Sequence, residues 1–159
     1  MGYKVGDKVV YPHHGAAIVE KKEKRVLDGK RRSYLVLRVA TSDLTLMVPE
    51  DKTEDVGIRQ VISRKDVKKV FEVFKQPDST PQTNWSRRYK AHIEKLGSGD
   101  IFEVAEVVRN LAYREKEKGL STGEKRVLQR AKEILISELS FALNIDPSEA
   151  EKELERHLP

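Results

Sequence analysis

The residues with the clearest chemical capacity lie between Pro81 and Ile93, in the stretch PQTNWSRRYKAHI. It carries Arg87, Arg88 and Lys90, no acid, and Trp85, the single tryptophan of the chain. Guanidinium and ammonium groups hold phosphates, and an apolar aromatic can wedge against a base step or stack on an unpaired base. A helix beginning at Asn84 would add an N-terminus, which favours an anion. Lys125 and Arg126, opening a later helix after Gly123-Glu124, could extend this surface or simply form a solvated face. A plainer reading stands beside it. Trp85, Tyr89 and Ile93 recur at four-residue spacing and could form one buried stripe with the cations outside. Against that, a tryptophan in a first helical turn beside a proline-flanked loop is easily left incompletely buried.

Catalysis finds no comparable foothold. His13 and His14 are adjacent, so a strand would point them to opposite sides, while His92 and His157 stand alone. Nothing repeats the two-histidine helical spacing of a zinc hydrolase, and the absence of cysteine excludes thiolate ligands and disulfides. Gly97-Ser98-Gly99 runs into Asp100, and no Gly-Lys-Ser/Thr of a phosphate loop occurs. Serines sit mainly at helix caps rather than in a nucleophile elbow. Carboxylates alternate with lysines, as on solvated helix faces. The expectation is a non-enzyme with no metal and no cofactor.

These residues need elements to position them. The first third reads as strands: Val9 to Tyr11, then Ala16 to Val19 after the punctuation Pro12-His13-His14-Gly15. Arg25 to Leu27 and Ser33 to Val39 flank Asp28-Gly29, a strong hairpin signal because a type I′ turn needs positive φ at both positions. Leu44 to Val48 is a fourth strand closed by Pro49, and Val61-Ile62 a fifth strand or part of a connector. Short strands without intervening helices suggest a small antiparallel barrel. Its edge offers a second candidate surface, since an edge accepts a strand from another protein. In Thr45-Leu46-Met47-Val48-Pro49, Met47 supplies an adaptable apolar contact and Pro49 limits uncontrolled strand addition. Alternatively, Leu46 and Val48 face the module's own core and Met47 is one exposed apolar residue.

From Ser63 the hydrophobic period becomes helical. Ser63 to Asp66 resembles a capping box before Val67, Val70, Phe71 and Phe74. Pro77 to Pro81 forms a loop. Asn84 caps a helix carrying Trp85, Tyr89, Ile93 and Leu96, and Asp100 opens another bearing Val104, Val107, Val108 and Leu111. Ser121-Thr122-Gly123-Glu124 caps a fourth, and Asp146-Pro147-Ser148-Glu149 opens a terminal fifth. The fold class expected is α+β: an N-terminal β module over 1–53, a connector over 54–63, and a helical bundle over 64–159.

Composition bounds the remaining choices. Of 159 residues, 38% are hydrophobic and 36% charged, enough apolar material for a core and against wholesale disorder. No apolar run approaches a membrane span or a signal-peptide core, and the lack of cysteine suits a reducing cytoplasm. Thirty-one basic against 26 acidic residues leave +5, which permits a polyanionic partner without requiring one. The excess is uneven: +4 over residues 1–53 and +4 over 64–118, against −2 over 119–159.

Ordered along the chain, several segments resemble the CarD/CdnL family of bacterial transcription regulators. They are Val5-Gly6-Asp7-Lys8-Val9-Val10-Tyr11-Pro12-His13-His14-Gly15, Tyr34 to Leu37, Asp43-Leu44-Thr45, Val56-Gly57-Ile58-Arg59 and Asn84-Trp85-Ser86-Arg87-Arg88-Tyr89-Lys90. Val104 to Arg109 and Gly119 to Arg126 continue the resemblance, which spans about residues 3 to 143. It implies a Tudor-like N-terminal module that binds the β subunit of RNA polymerase. It also implies a helical domain that contacts promoter DNA at the upstream edge of the melted region and stabilises the open complex. By the same resemblance Trp85 acts as a minor-groove wedge, Arg87, Lys90 and Lys125 support the DNA contact, and Arg25 and the strand around Met47 form the polymerase-binding face. Methionine at position 47, where some actinobacterial relatives have arginine, favours an apolar contact there. A monomer acting without membrane contact, held near the nucleoid by polymerase, is expected. An adaptor with no DNA contact, or a barrel that binds RNA or the ribosome, are the competing readings.

Overall fold

The computed structural model describes residues 2–79 and 84–159. Thr80 and Pro81, part of the expected loop, lie outside the described residues.

Five strands form one antiparallel sheet in the order β4-β3-β2-β1-β5. They are β1 (Lys8–Tyr11), β2 (Gly15–Leu27), β3 (Lys30–Val39), β4 (Thr45–Pro49) and β5 (Arg59–Gln60). The Asp28-Gly29 turn joins β2 to β3 with φ of 53° and 74°, the positive pair that a type I′ turn demands. Two details differ from the sequence pattern. Ala16–Val19 and Arg25–Leu27 belong to one 13-residue strand, with a register shift between Val19 and Lys21. Its middle, Glu20 to Lys24, is polar and largely exposed, so no alternation of burial marks it as strand. The fifth strand is Arg59–Gln60 rather than Val61-Ile62, and it pairs with Val9 and Val10 of β1. Val9, Ala17, Val19, Leu35, Leu37, Val39, Val48 and Ile58 form the sheet's own core.

Between β4 and β5 come a short 3-10 turn and the single-turn helix α1 (Thr53–Val56). Five longer helices then follow: α2 (Arg64–Val73), α3 (Trp85–Leu96), α4 (Ile101–Glu117), α5 (Thr122–Leu143) and α6 (Pro147–His157). Their starts are set locally. The side chains of Ser63, Asn84, Asp100 and Ser121 each accept a backbone N–H from the first turn they cap. Apolar residues of α2, α4, α5 and α6 bury a second core around Val104, Val108, Leu111, Leu135 and Leu139. The whole is an α+β fold.

The sheet also packs on α5. Gly15 sits at φ +90°, and a Cβ there would lie 2.8 Å from Ser137 Oγ and 3.3 Å from the Ile134 backbone. Only glycine meets both the backbone conformation and the close approach. Next to it, the Ala16 N–H donates to Ser137 Oγ at 3.0 Å. Among the described residues, no helix is long and apolar enough to cross a membrane.

Candidate nucleic-acid interface

The Asn84 side chain accepts the Arg87 N–H at 3.0 Å and so places Trp85 as the first residue of α3. This is a surface position: Trp85 is 44% exposed and Ile93 is also exposed. The buried side of α3 is carried by His92 and Leu96, with Tyr89 partly buried against the helical core. The four-residue stripe of Trp85, Tyr89 and Ile93 is therefore not the core stripe. Neutral histidine, unrecognised by an apolar pattern, takes the inner position instead.

The indole is held on two sides. It stacks on the Tyr89 ring with centroids 5.0 Å apart and planes 17° apart. Its N–H donates to Ser121 Oγ at 3.2 Å. Ser121 is the N-cap of α5; its hydroxyl accepts the Glu124 N–H at 3.2 Å and donates to Glu124 Oε1 at 3.1 Å. Glu124 returns the capping box by accepting the Ser121 N–H, and its buried carboxylate also faces Arg114 Nε at 3.5 Å. Gly123 lies against the stacked pair, where a Cβ would come 3.5 Å from Tyr89 and 3.6 Å from Trp85. The first turns of α3 and α5 thus meet at one aromatic platform, and both N-termini favour negative charge.

The same two helices carry exposed cations. Arg87 and Lys90 on α3 and Lys125 and Arg126 on α5 are exposed. Arg88 differs in being half-buried, on the side of α3 toward His92, whose pKa its charge helps to lower. Burial is the largest cause of that lowering, with Lys95 adding to it and Asp78 and Glu124 opposing it. Asn110 Nδ2 lies 3.4 Å from His92 Nε2 and also donates to Ser79 Oγ. Arg109, buried in α4, donates to Ser79 Oγ, Val73 O and Asn110 Oδ1, tying the segment before α3 to the bundle.

On the β module, β4 is a terminal strand of the sheet. Leu46 pairs with Leu37 and packs on the module core, whereas Met47, paired with Val36, is 37% exposed on the opposite face. Val48 is buried and Pro49 half-buried at the strand's end. Val36 in turn pairs with Lys21, so alternation puts Met47, Lys21, Glu23 and Arg25 on one face. Arg25 stands four residues along β2 from that row, about 13 Å at the rise of a strand. Its Nε donates to Glu23 Oε2 at 3.0 Å, and Lys21 also pairs with Glu23. Those two cations hold the Glu23 pKa below its ordinary value.

The sequence marks Ser121 as a cap but not as the partner of the indole. The signal is a tertiary one, between residues 36 positions apart. The histidines have separate surroundings. His13 packs on Gly97, His14 meets Tyr11 edge-on, and His157 stacks on Phe71. Among the described residues, no three histidine or acidic side chains gather as a metal site.

The chain joins a β module to a helical bundle that carries an exposed, stacked tryptophan on the same helices as several exposed cations. Comparison with known proteins gives the family. The profile described as the CarD-like/TRCF RID domain matches residues 3–62, and that of the CarD C-terminal domain matches residues 69–155. YdeB of Bacillus subtilis (strain 168), a transcription-factor candidate, is 39% identical over 143 residues, covering 90% of this chain and 94% of its own length. The chain belongs to the CarD/CdnL family of transcription regulators, which is not a family of enzymes.

Proposed function

We propose that this chain binds the RNA polymerase β subunit through the β4 edge and the adjoining face with Met47 and Arg25. With the polymerase in place, the platform of Trp85 meets promoter DNA at the upstream edge of the melted region and stabilises the open complex. The observation that carries this reading is the indole of Trp85, exposed yet held by Tyr89 and Ser121, on the helices that also carry the exposed cations. Arg87, Lys90 and Lys125 contact phosphates, with Arg88 behind them. These contacts attract DNA whatever its sequence, and a wedge favours DNA already distorted. Polymerase supplies the promoter specificity, and tethering lets each contact be weak alone.

Binding the open state better than the closed one shifts the population toward melted promoters. A threefold shift needs only about 0.65 kcal/mol of differential binding. One aromatic–base stack is worth about 1–3 kcal/mol, so a single well-placed indole suffices. No catalytic step is required. The natural setting is the cytoplasm, at the nucleoid with polymerase.

The test is open-complex lifetime with the full chain, with Trp85→Ala, and without protein. The lifetime is expected to lengthen at least threefold with the parent and to return toward the unaided value with Trp85→Ala. Equal lifetimes for parent and variant would remove the wedge. Separately, Met47→Asp should abolish capture of the β subunit by the full chain while leaving its thermal unfolding unchanged. Capture at parental strength would move the protein interface elsewhere.

A further inference from the structure

Glu138, in the C-terminal half of α5, is a fully buried carboxylate that meets residues from the sheet side of the molecule. Its two oxygens accept the two terminal guanidinium nitrogens of Arg59 at 2.7 Å each. Oε2 also accepts the Ile62 N–H at 2.9 Å. Arg59 lies on β5 and spends its Nε–H on Gly99 O at 2.6 Å, in the turn that joins α3 to α4. One arginine thus ties the sheet to α5 and to the C-terminal end of the helix that carries Trp85 at its other end.

Neighbouring contacts follow the same seam. Arg130 of α5 donates to His13 O at 2.6 Å, and the His13 ring packs on Gly97. Lys8 of β1 sits 5.3 Å over the Phe141 ring of α5. Stability alone does not account for an ion pair here, since apolar residues of similar size usually serve as well or better. What a bidentate arginine–carboxylate pair adds is direction, because its paired bonds accept one orientation where apolar surfaces slide. Geometry makes that direction matter. α3 has 12 residues, so Trp85 stands about 18 Å from the end that Arg59 grips, and a rotation of ten degrees there would displace it by about 3 Å. That is close to the spacing of roughly 3.4 Å between successive bases.

We infer that Arg59 and Glu138 are positioning residues: their pairing, buried on the glutamate side and half-buried on the arginine side, fixes the β module against the helical bundle so that docking the β4 face also places Trp85. The inference rests on the function proposed above. Neither residue touches a partner; both act through the orientation of the two modules.

The chain has no cysteine, so spin labels at Lys30→Cys and Glu117→Cys, both exposed, report the distance between modules. In the full chain, the Arg59→Leu/Glu138→Leu pair keeps the seam filled but removes the directional bonds. Expected are a broadened or shifted distance distribution and loss of the open-complex effect by threefold or more. Capture of the β subunit and affinity for pre-melted fork DNA, measured separately, should stay at parental values. Arg59→Lys, which keeps the charge but not the bidentate geometry, should broaden the distribution partly and serves if the double variant fails to fold. A parental distribution in these variants overturns the inference, as does a parental lifetime with a broadened one. Trp85→Ala in the parental background separates the two ideas. If it leaves the lifetime unchanged, the function proposed above fails, while the distance measurement still decides whether the pair fixes the modules.

Discussion

The indole N–H of Trp85 and the hydroxyl of Ser121 meet at 3.2 Å, and the same hydroxyl caps α5. One oxygen therefore serves two helices: it starts α5 and orients the aromatic that starts α3. With Tyr89 stacked on one face, the indole is ordered before any partner arrives. The entropy of fixing its two side-chain torsions is then spent on folding rather than on binding.

Replacing Ser121 by glycine separates these two duties. Glycine is nearly as good a cap, so stability should fall by only a few tenths of a kcal/mol, against about 1 kcal/mol for alanine. The indole, however, loses its acceptor in both variants. Fluorescence of the single tryptophan should show a larger local mobility in Ser121→Gly, seen as a faster anisotropy decay. A decay equal to the parent's would mean that Tyr89 alone orients the ring.

Gly15→Ala tests the packing of the sheet on α5. The new Cβ would meet Ser137 Oγ at 2.8 Å on a backbone of φ +90°. A left-handed backbone costs roughly 1–2 kcal/mol and overpacking about 1–3 kcal/mol more. The sum predicts a destabilisation of about 2–5 kcal/mol, or several degrees in Tm by differential scanning calorimetry. Rotating the Ser137 side chain would relieve that contact only by breaking the bond from the Ala16 N–H, so it does not spare the cost.

Much of this architecture was legible because it is locally encoded. Asp28-Gly29 demands a hairpin, and Ser63, Asn84, Asp100 and Ser121 begin helices because each has an oxygen that reaches the first turn. The middle of β2 was not legible, since Lys21–Lys24 owe their extended form to pairing with β3 rather than to apolar alternation. At the candidate site, the cations and the aromatic showed in the sequence, but whether Trp85 is exposed or buried did not. Spacing alone cannot tell that His92, satisfied beside Asn110, occupies the inner face. Equally hidden was Arg59–Glu138, a pair 79 residues apart with no periodicity to connect it.

His92 gives the molecule a predictable response to acid. Burial holds its pKa below the ordinary value of 6.5, so the folded chain binds fewer protons than the unfolded chain in this range. Stability is full above about pH 6.5 and falls as pH drops from there through the folded pKa. Asn110 sharpens the effect, because its Nδ2 donor faces Nε2 and its Oδ1 is already occupied by Ser79 N–H and Arg109. His14, also held low by burial, contributes with the same sign. Urea unfolding at pH 7.5 and 5.5 should show lower stability in acid, by at most about 1.4 kcal/mol per pH unit from His92. His92→Leu should flatten the slope without abolishing it. An unchanged slope would assign the acid sensitivity to His14 and the carboxylates.

Ionic strength offers the sharpest division among the basic residues. Each phosphate neutralised by Lys or Arg releases condensed counterions, so affinity falls with salt at a slope of about 0.9 per contact on duplex DNA and about 0.7 on single strands. Arg87 and Lys90 on α3 and Lys125 on α5 are exposed, whereas Arg88 is half-buried on the His92 side of α3. Alanine at any of the first three should therefore weaken binding to fork DNA and reduce the salt slope by nearly one unit. Trp85→Ala should lower affinity too, but it removes no charge and should leave the slope as it was. Arg88→Ala should instead act mainly through stability, with the slope changed by less than half a unit. Fluorescence-anisotropy titrations of a labelled fork at four salt concentrations measure the parent and all five variants on one scale. If Arg88→Ala lowers the slope as much as Lys90→Ala, its guanidinium swings outward to reach a phosphate when DNA binds.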